Sequence, residues 1–350
     1  MSRKLLPLSI TAALIGGTAM ADVPKVAADI APVHSLVARV MEGVGTPDLI
    51  IPAGASPHEY NLRPSEAAAL QEADLVFWIG EDLTPWMEGA VETLSDGATV
   101  TALLESDSTV LLDFRESALF EAHDHDDHAE SENHNHDEHA EGEGHDDDDH
   151  DDEHAHADDH DDHDHDDHAD HDNHDDGHAH GDHDPHAWLS PANAENWLNV
   201  IAAQLSAADP ENAGTYFANA AAAREEMTAL SAEVASILDP DQGGNFVVFH
   251  DAYQYFEDAF DFPASGAISV GDAADPSPAR IAEIQARIRD EGVTCVLTEP
   301  QFNPGIVATV LDGTEANTGV IDPLGSDLEP GTELYPQVIR NMAKTLAECL

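Results

Sequence analysis

Seventy-two Asp and Glu residues against twelve Lys and Arg give this 350-residue chain a formal net charge of -60 at pH 7. That balance excludes nucleic acid as a partner, because phosphate binding needs a basic face. The 23 histidines are the second departure from ordinary composition, and their placement governs the reading that follows.

Residues 1–21 carry Arg3 and Lys4, an apolar run from Leu5 to Ile15, and Ala19-Met20-Ala21. This three-part layout predicts a cleaved secretory signal, with the mature chain beginning at Asp22. The apolar run falls short of the ~20 residues a membrane-spanning helix needs. The first cysteine is Cys295, so no cysteine follows the signal to carry a lipid, and a soluble periplasmic protein is expected.

Beyond the signal, short continuous apolar runs alternate with segments of helical character. The runs are 48–51, 73–79, 246–249, 294–297 and 319–321. Continuous rather than alternating runs suit parallel strands covered on both faces. Ser65 to Gln71 opens a helix after Pro64, and Ile281, Ile284 and Ile288 recur at helical spacing. The fold class expected is α/β, with two parallel-sheet lobes. Pro210 to Leu238 reads as one long, rigid helix joining them, starting at the Asp209-Pro210 cap. The expected division is a signal at 1–21, an N-terminal α/β lobe at 22–209, a linker helix at 210–238 and a C-terminal α/β lobe at 239–350.

Inside the first lobe, residues 121–184 hold 30 carboxylates, 19 histidines and no Lys or Arg. Such a stretch has almost nothing apolar to bury, so a disordered tether is expected. Acid alone would serve solubility. Interleaved imidazoles point instead to auxiliary metal binding, by His123, His125, His128, His134, His136, His139, His145, His150, His154, His156, His160, His163, His165, His168, His171, His174, His178, His180 and His183.

Four histidines lie outside this tract. His34 sits where a helix begins and reads as structural. His58 follows the run 48–51, His250 ends the run 246–249, and His186 follows the tract. In open parallel sheets, ligands gather beyond the carboxyl ends of strands. Three neutral imidazoles there suit Zn2+ better than manganese or magnesium, which prefer oxygen. Asp322 is the first choice for a fourth ligand. Glu59 and Glu299 read as alternative ligands or, preferably, as partners that fix a histidine tautomer.

These residues lie in Pro52-Ala53-Gly54-Ala55-Ser56-Pro57-His58-Glu59-Tyr60, Asp184-Pro185-His186-Ala187-Trp188, Phe249-His250-Asp251-Ala252-Tyr253, Glu299-Pro300-Gln301-Phe302 and Asp322-Pro323-Leu324-Gly325. Together they resemble the ZnuA family, the solute-binding proteins of zinc-uptake ABC transporters. The resemblance implies two lobes joined by a rigid helix, one Zn2+ held by His58, His186 and His250 in the cleft, and delivery to a membrane permease; a monomer is expected. Manganese-binding relatives typically have a carboxylate where His250 stands. Cys295 and Cys349 form an even pair in an oxidising compartment and read as a disulfide, which the resemblance supports.

Two other functions fit parts of the pattern. A zinc hydrolase could use three histidines with Glu59 or Glu299 as base, but Leu62 stands where a His-Glu-x-x-His motif needs its second histidine. A zinc buffer or storage protein would make the acidic tract the main business.

Overall fold

The computed structural model of the chain describes residues 23–115, 120, 183–241, 244–269 and 276–350. The expected signal and nearly all of the histidine-rich tract lie outside these residues. The tract's end does not: His183 and Asp184 are placed, and Asp184 is buried. Both therefore belong to the folded chain rather than to a tether.

Apolar runs that need cover on both faces find it in two four-stranded parallel sheets. The first has β1 (Val26–Ala28), β2 (Asp48–Leu49), β3 (Leu75–Trp78) and β4 (Thr99–Ala102) in the order β2-β1-β3-β4. The second has β5 (Phe246–His250), β6 (Gly266–Ser269), β7 (Cys295–Thr298) and β8 (Asn317–Val320) in the order β6-β5-β7-β8. The two sheets share one topology. In each, the chain leaves the first strand toward one edge and returns to its other side, which opens a crevice at the carboxyl ends of β1 and β3, and again of β5 and β7.

Helices α1 (Ala31–Val40), α2 (Pro64–Glu72) and α3 (Pro85–Leu94) serve the first sheet, and α6 (Gln254–Phe260), α7 (Pro278–Asp290) and α8 (Pro304–Leu311) the second. Between the sheets in sequence stand α4 (Pro191–Ala208) and α5 (Ala213–Leu238), and α9 (Leu334–Cys349) ends the chain. Six of these nine helices have proline at their first or second position, where its missing N–H costs nothing. The long helix opens at Ala213, later than its proline suggests. The Asp209 carboxylate accepts from the Asn212 side chain at 2.7 Å and the Tyr216 hydroxyl at 2.9 Å, holding residues 209–212 in a turn.

Along α5, Tyr216, Ala220, Ala223, Met227, Leu230, Val234 and Leu238 make a buried stripe with steps of three and four residues. The stripe packs on α4, α9 and α1. Each of the larger side chains contributes roughly 1.5–3 kcal/mol by burial. In the second sheet the period of two sorts side chains by face. Phe246, Val248, Cys295 and Leu297 join the same core as β1, β3 and the long helices. Val247, Phe249 and Val296 join a separate core with Ile284 and Ile288 of α7. One apolar core thus runs from the first sheet through the helices to one face of the second.

A disulfide joins Cys295 in β7 to Cys349 at the end of α9. Closing a loop of this sequence separation, 54 residues, is worth about 4 kcal/mol in the chain-entropy view. Cys349→Ser should therefore lower the unfolding free energy of the oxidised protein, read from urea melts as midpoint times slope, by an amount near that value, and reductant should abolish the difference between variant and parent.

Asp29 follows β1 and is wholly buried. Its carboxylate accepts from Ile30 N and Ile79 N, each at 2.7 Å, which stitches the end of β1 to the end of β3. Burial raises its pKa to about 7 against the pull of those two N–H groups. An unfolded aspartate titrates near pH ~4, so the folded state holds the extra proton between the two values. Stability assigned to this group is present below about pH 4 and is lost as pH rises toward about 7. Urea melts of parent and Asp29→Asn across that range should show the parent losing ground to the variant as pH rises.

Candidate metal centre

His58, His186 and His250 reach one point from three different local structures. His58 lies in the loop after β2, where Gly54 takes a left-handed conformation (φ 86°) that lets the chain turn back. Trp86 of α3 donates its Nε1–H to the Pro57 carbonyl at 2.7 Å, and Tyr60 donates to Glu66 of α2 at 2.8 Å. The loop is thereby fastened to the first sheet's helices on both sides of His58. His186 precedes a 3-10 turn, Ala187–Leu189, that leads into α4 through the Ser190 cap. His250 is the last residue of β5.

One nitrogen from each ring falls within 4.8 Å of the others. The Nε2 atoms of His58 and His186 are 3.3 Å apart. The ring centres of His186 and His250 are 5.3 Å apart, and those of His58 and His250 are 6.4 Å apart. The space between them has a volume of about 20 Å³, room for roughly one water-sized body. Trp188 and Phe302 wall it, each with its ring centre close to one histidine, at 5.2 Å from His186 and 5.3 Å from His250.

Two of the rings are aimed by carboxylates. Asp184 Oδ1 accepts from His186 Nδ1 at 2.7 Å and from His186 N at 2.9 Å. Glu299, the residue after β7, accepts from His250 Nδ1 at 2.7 Å. Each carboxylate accepts a hydrogen bond from Nδ1–H, which keeps the proton on Nδ1 and leaves the Nε2 lone pair facing the cleft. Both are buried, Asp184 at 1% exposure and Glu299 at 3%. Burial, and then the charge of His250, hold the His186 imidazolium well below the usual histidine range, so this ring is neutral at pH 7. Burial pushes Asp184 up to about 7 against the His186 N–H, Arg115 and His250.

The other expected site residues fall elsewhere. Asp322 does not join the cluster, because its turn consumes the carboxylate. Oδ1 accepts from Leu324 N and Gly325 N at 3.0 Å, and Oδ2 from Ser326 N and Oγ at 2.6 Å. The sequence Asp-Pro-Leu-Gly is a turn signal as much as a ligand signal, and the turn has taken the oxygens. Glu59 is exposed and lies outside the cluster. His34 is buried in α1 with Nε2 3.1 Å from the Pro47 carbonyl, far from the others in role. His183 pairs with Asp113 at 3.0 Å on the surface. Sequence reasoning missed Asp184, which was counted with the tract although it stands two residues before a candidate histidine.

Two α/β lobes with three converging imidazoles between them, two of them buried, define a metal-binding solute-binding protein. The model of the periplasmic zinc-uptake complex component A family, ZnuA, matches residues 26–349, and the chain belongs to that family. It is 44% identical to the high-affinity zinc uptake system protein ZnuA of Brucella abortus over 345 residues, covering 99% of this chain and 97% of the relative. Its fold is similar to that in a crystal structure of ZnuA, with a TM-score of 0.67 at 18% identity over 94% of this chain and 99% of that one. The SBP FpvC of Pseudomonas aeruginosa, solved in complex with Mn2+, is similar to the same degree, with a TM-score of 0.68 at 18% identity over 93% of this chain and 98% of that one. Fold alone therefore does not select the metal.

The Glu299 contact has a direct spectroscopic consequence. Imidazole 15N shifts of the metal-free protein should place the His250 proton on Nδ1, and Glu299→Gln should give a mixture of tautomers. An unchanged signal would mean that another group orients the ring.

Proposed function

We propose that this chain captures one Zn2+ through the Nε2 atoms of His58, His186 and His250 and delivers it to the permease of an ABC transporter. The observation that carries this reading is the convergence of three imidazole nitrogens within 4.8 Å, two of the rings backed by buried carboxylates. A borderline-soft cation that accepts three nitrogens without a geometric preference of its own matches this donor set, whereas manganese favours oxygen. The Brucella relative's name, a high-affinity zinc uptake protein, supports the same choice. The fourth position is left to water or to a donor brought by the partner.

The supporting roles follow from the sequence. Residues 1–21 direct export to the periplasm and are removed, and the mature protein works as a soluble monomer. Among the described residues no helix is long and apolar enough to cross a membrane. The histidine-rich tract gathers zinc at weaker, faster sites and either supplies the cleft or senses zinc excess. The acidic surface leaves nucleic acid without a face to bind. An enzymatic role has little to work with: the Glu299 oxygen is engaged by His250, and Glu59 points to solvent, so neither is placed as a general base at the cleft.

Calorimetry with metal analysis tests the proposal on the parent, a variant lacking residues 122–179, and each of these with His250→Ala. The deletion stops short of His183 because Asp184 orients His186. One tight zinc site should survive the deletion and weaken at least about 100-fold with His250→Ala, while His34→Ala leaves it unchanged. Glu299→Gln should cost about 10–100-fold, the usual effect of removing a partner that orients a metal-bound histidine. Tight binding that vanished with the tract and ignored His250 would make the protein a zinc buffer.

A further inference from the structure

The segment that presents His186 is gripped by the helix that follows His250. Residues 111–115 and 183–184 lie side by side, joined by the antiparallel bridge Asp113–His183 and by Asp184 N donating to the Leu112 carbonyl at 2.8 Å. Helix α6, which begins four residues beyond His250, holds both members of this pair. The Tyr255 hydroxyl accepts from Leu112 N and donates to the Asp184 carbonyl, each at 2.9 Å. The Gln254 amide, with its nitrogen turned toward these oxygens, donates to Asp184 Oδ2 and to the Asp113 carbonyl at 3.2 Å.

Arg115 completes the grip. Its Nη1 donates to Glu257 Oε2 at 2.9 Å and its Nη2 to Glu257 Oε1 at 3.1 Å, a two-pronged contact. Its Nη2 also lies 2.6 Å from Asp251 Oδ1, and its Nε donates to Asp251 Oδ2 at 3.1 Å. Asp251 is the residue next to His250. The side chains of Asp251 and Glu257 are 5% exposed, and the guanidinium is stacked 3.6 Å from the Phe120 ring centre. Buried ion pairs of this kind gain little net stability, since desolvation of the charges offsets their attraction. What they do provide is fixed geometry, because a planar guanidinium between two carboxylates allows few arrangements.

His58 is held differently. Its loop is tied to α2 and α3 of the first sheet, as the Trp86 and Tyr60 contacts show. No part of the α6 grip just described reaches it.

We propose that Arg115 is a positioning residue for metal capture: with Gln254 and Tyr255 it locks the His186 segment to α6, so that His186 and His250 stand as a prepared two-imidazole half-site that His58 completes. This rests on the reading of the three histidines as zinc ligands. The contacts of Arg115 described above go to Asp251 and Glu257, and it acts through these and the backbone of the 111–115 segment.

The test uses the full chain with zinc itself as probe, comparing the parent with Arg115→Met, Tyr255→Phe, Glu257→Gln and His250→Ala. Zinc Kd is read by chelator competition, and Tm with and without saturating zinc. Loss of preorganisation should raise the Kd of Arg115→Met about tenfold and shrink the zinc-induced rise in Tm. Glu257→Gln and Tyr255→Phe should shift both in the same direction by less. A grip that only stabilises the fold would lower Tm with and without zinc by the same amount and leave Kd at the parent value, which overturns the proposal. If Arg115→Met fails to fold, unchanged Kd values in the other two grip variants overturn it equally. A parent-like Kd in His250→Ala would instead remove the ligand reading beneath it, an outcome distinguishable from failure of the grip.

Discussion

A neutral imidazole has one lone pair to give and one proton to place, so it becomes a directed donor only when something accepts that proton. In this chain the acceptors are Asp184 and Glu299, buried beside His186 and His250. Most of the architecture around the cleft serves to keep those carboxylates where water cannot replace them. Glu299 follows β7, next to the strand that ends in His250, so the pair spans the place where the strand order of the second sheet reverses. The first sheet uses the same place differently. There Asp29 joins the ends of β1 and β3 through backbone N–H groups and aims no imidazole. One topology supplies a site in one lobe and a rivet in the other.

Stiffness comes from the apolar side. The core that starts at β1 continues through α1, α4, α5 and α9 and ends on one face of the second sheet. Relative movement of the lobes would have to shear buried side chains rather than bend a linker, which confines easy motion to the loops that emerge at the strand ends. His58 is the cluster member set in such a loop and the only one that is not buried. The two others sit where backbone and carboxylate contacts from several elements overlap.

Much of this was legible in the residues. Continuous apolar runs such as Phe246 to Phe249 announced buried parallel strands, and the run from Pro210 to Leu238, rich in Ala, Glu and Leu and free of proline after its first residue, announced the long helix. Strands β1, β4 and β6 were not legible, since Val-Ala-Ala, Thr-Val-Thr-Ala and Gly-Ala-Ile-Ser carry too few branched apolar side chains to stand out. The three clustered histidines followed from their places after strands and from motif resemblance. Glu299 was readable as an orienting partner. Asp322 misled because an aspartate before proline and glycine signals a turn, and its oxygens were spent on backbone N–H groups. Asp184 was hidden by its neighbours, being one more acid at the end of an acidic run until burial sets it apart.

The turn that occupies Asp322 bears on how a bound ion would leave. If the three imidazoles of the proposed site hold the cation, and no carboxylate among the described residues closes the shell, one coordination position would stay open to an exchangeable molecule. On that ligand set, an approaching receptor could insert its own donor there before any histidine lets go, so transfer would proceed by addition followed by stepwise loss rather than by breaking a full cage. Capture that is tight at equilibrium and release that is fast on contact would then be compatible within one site, and the speed of hand-over would be set by what the receptor brings.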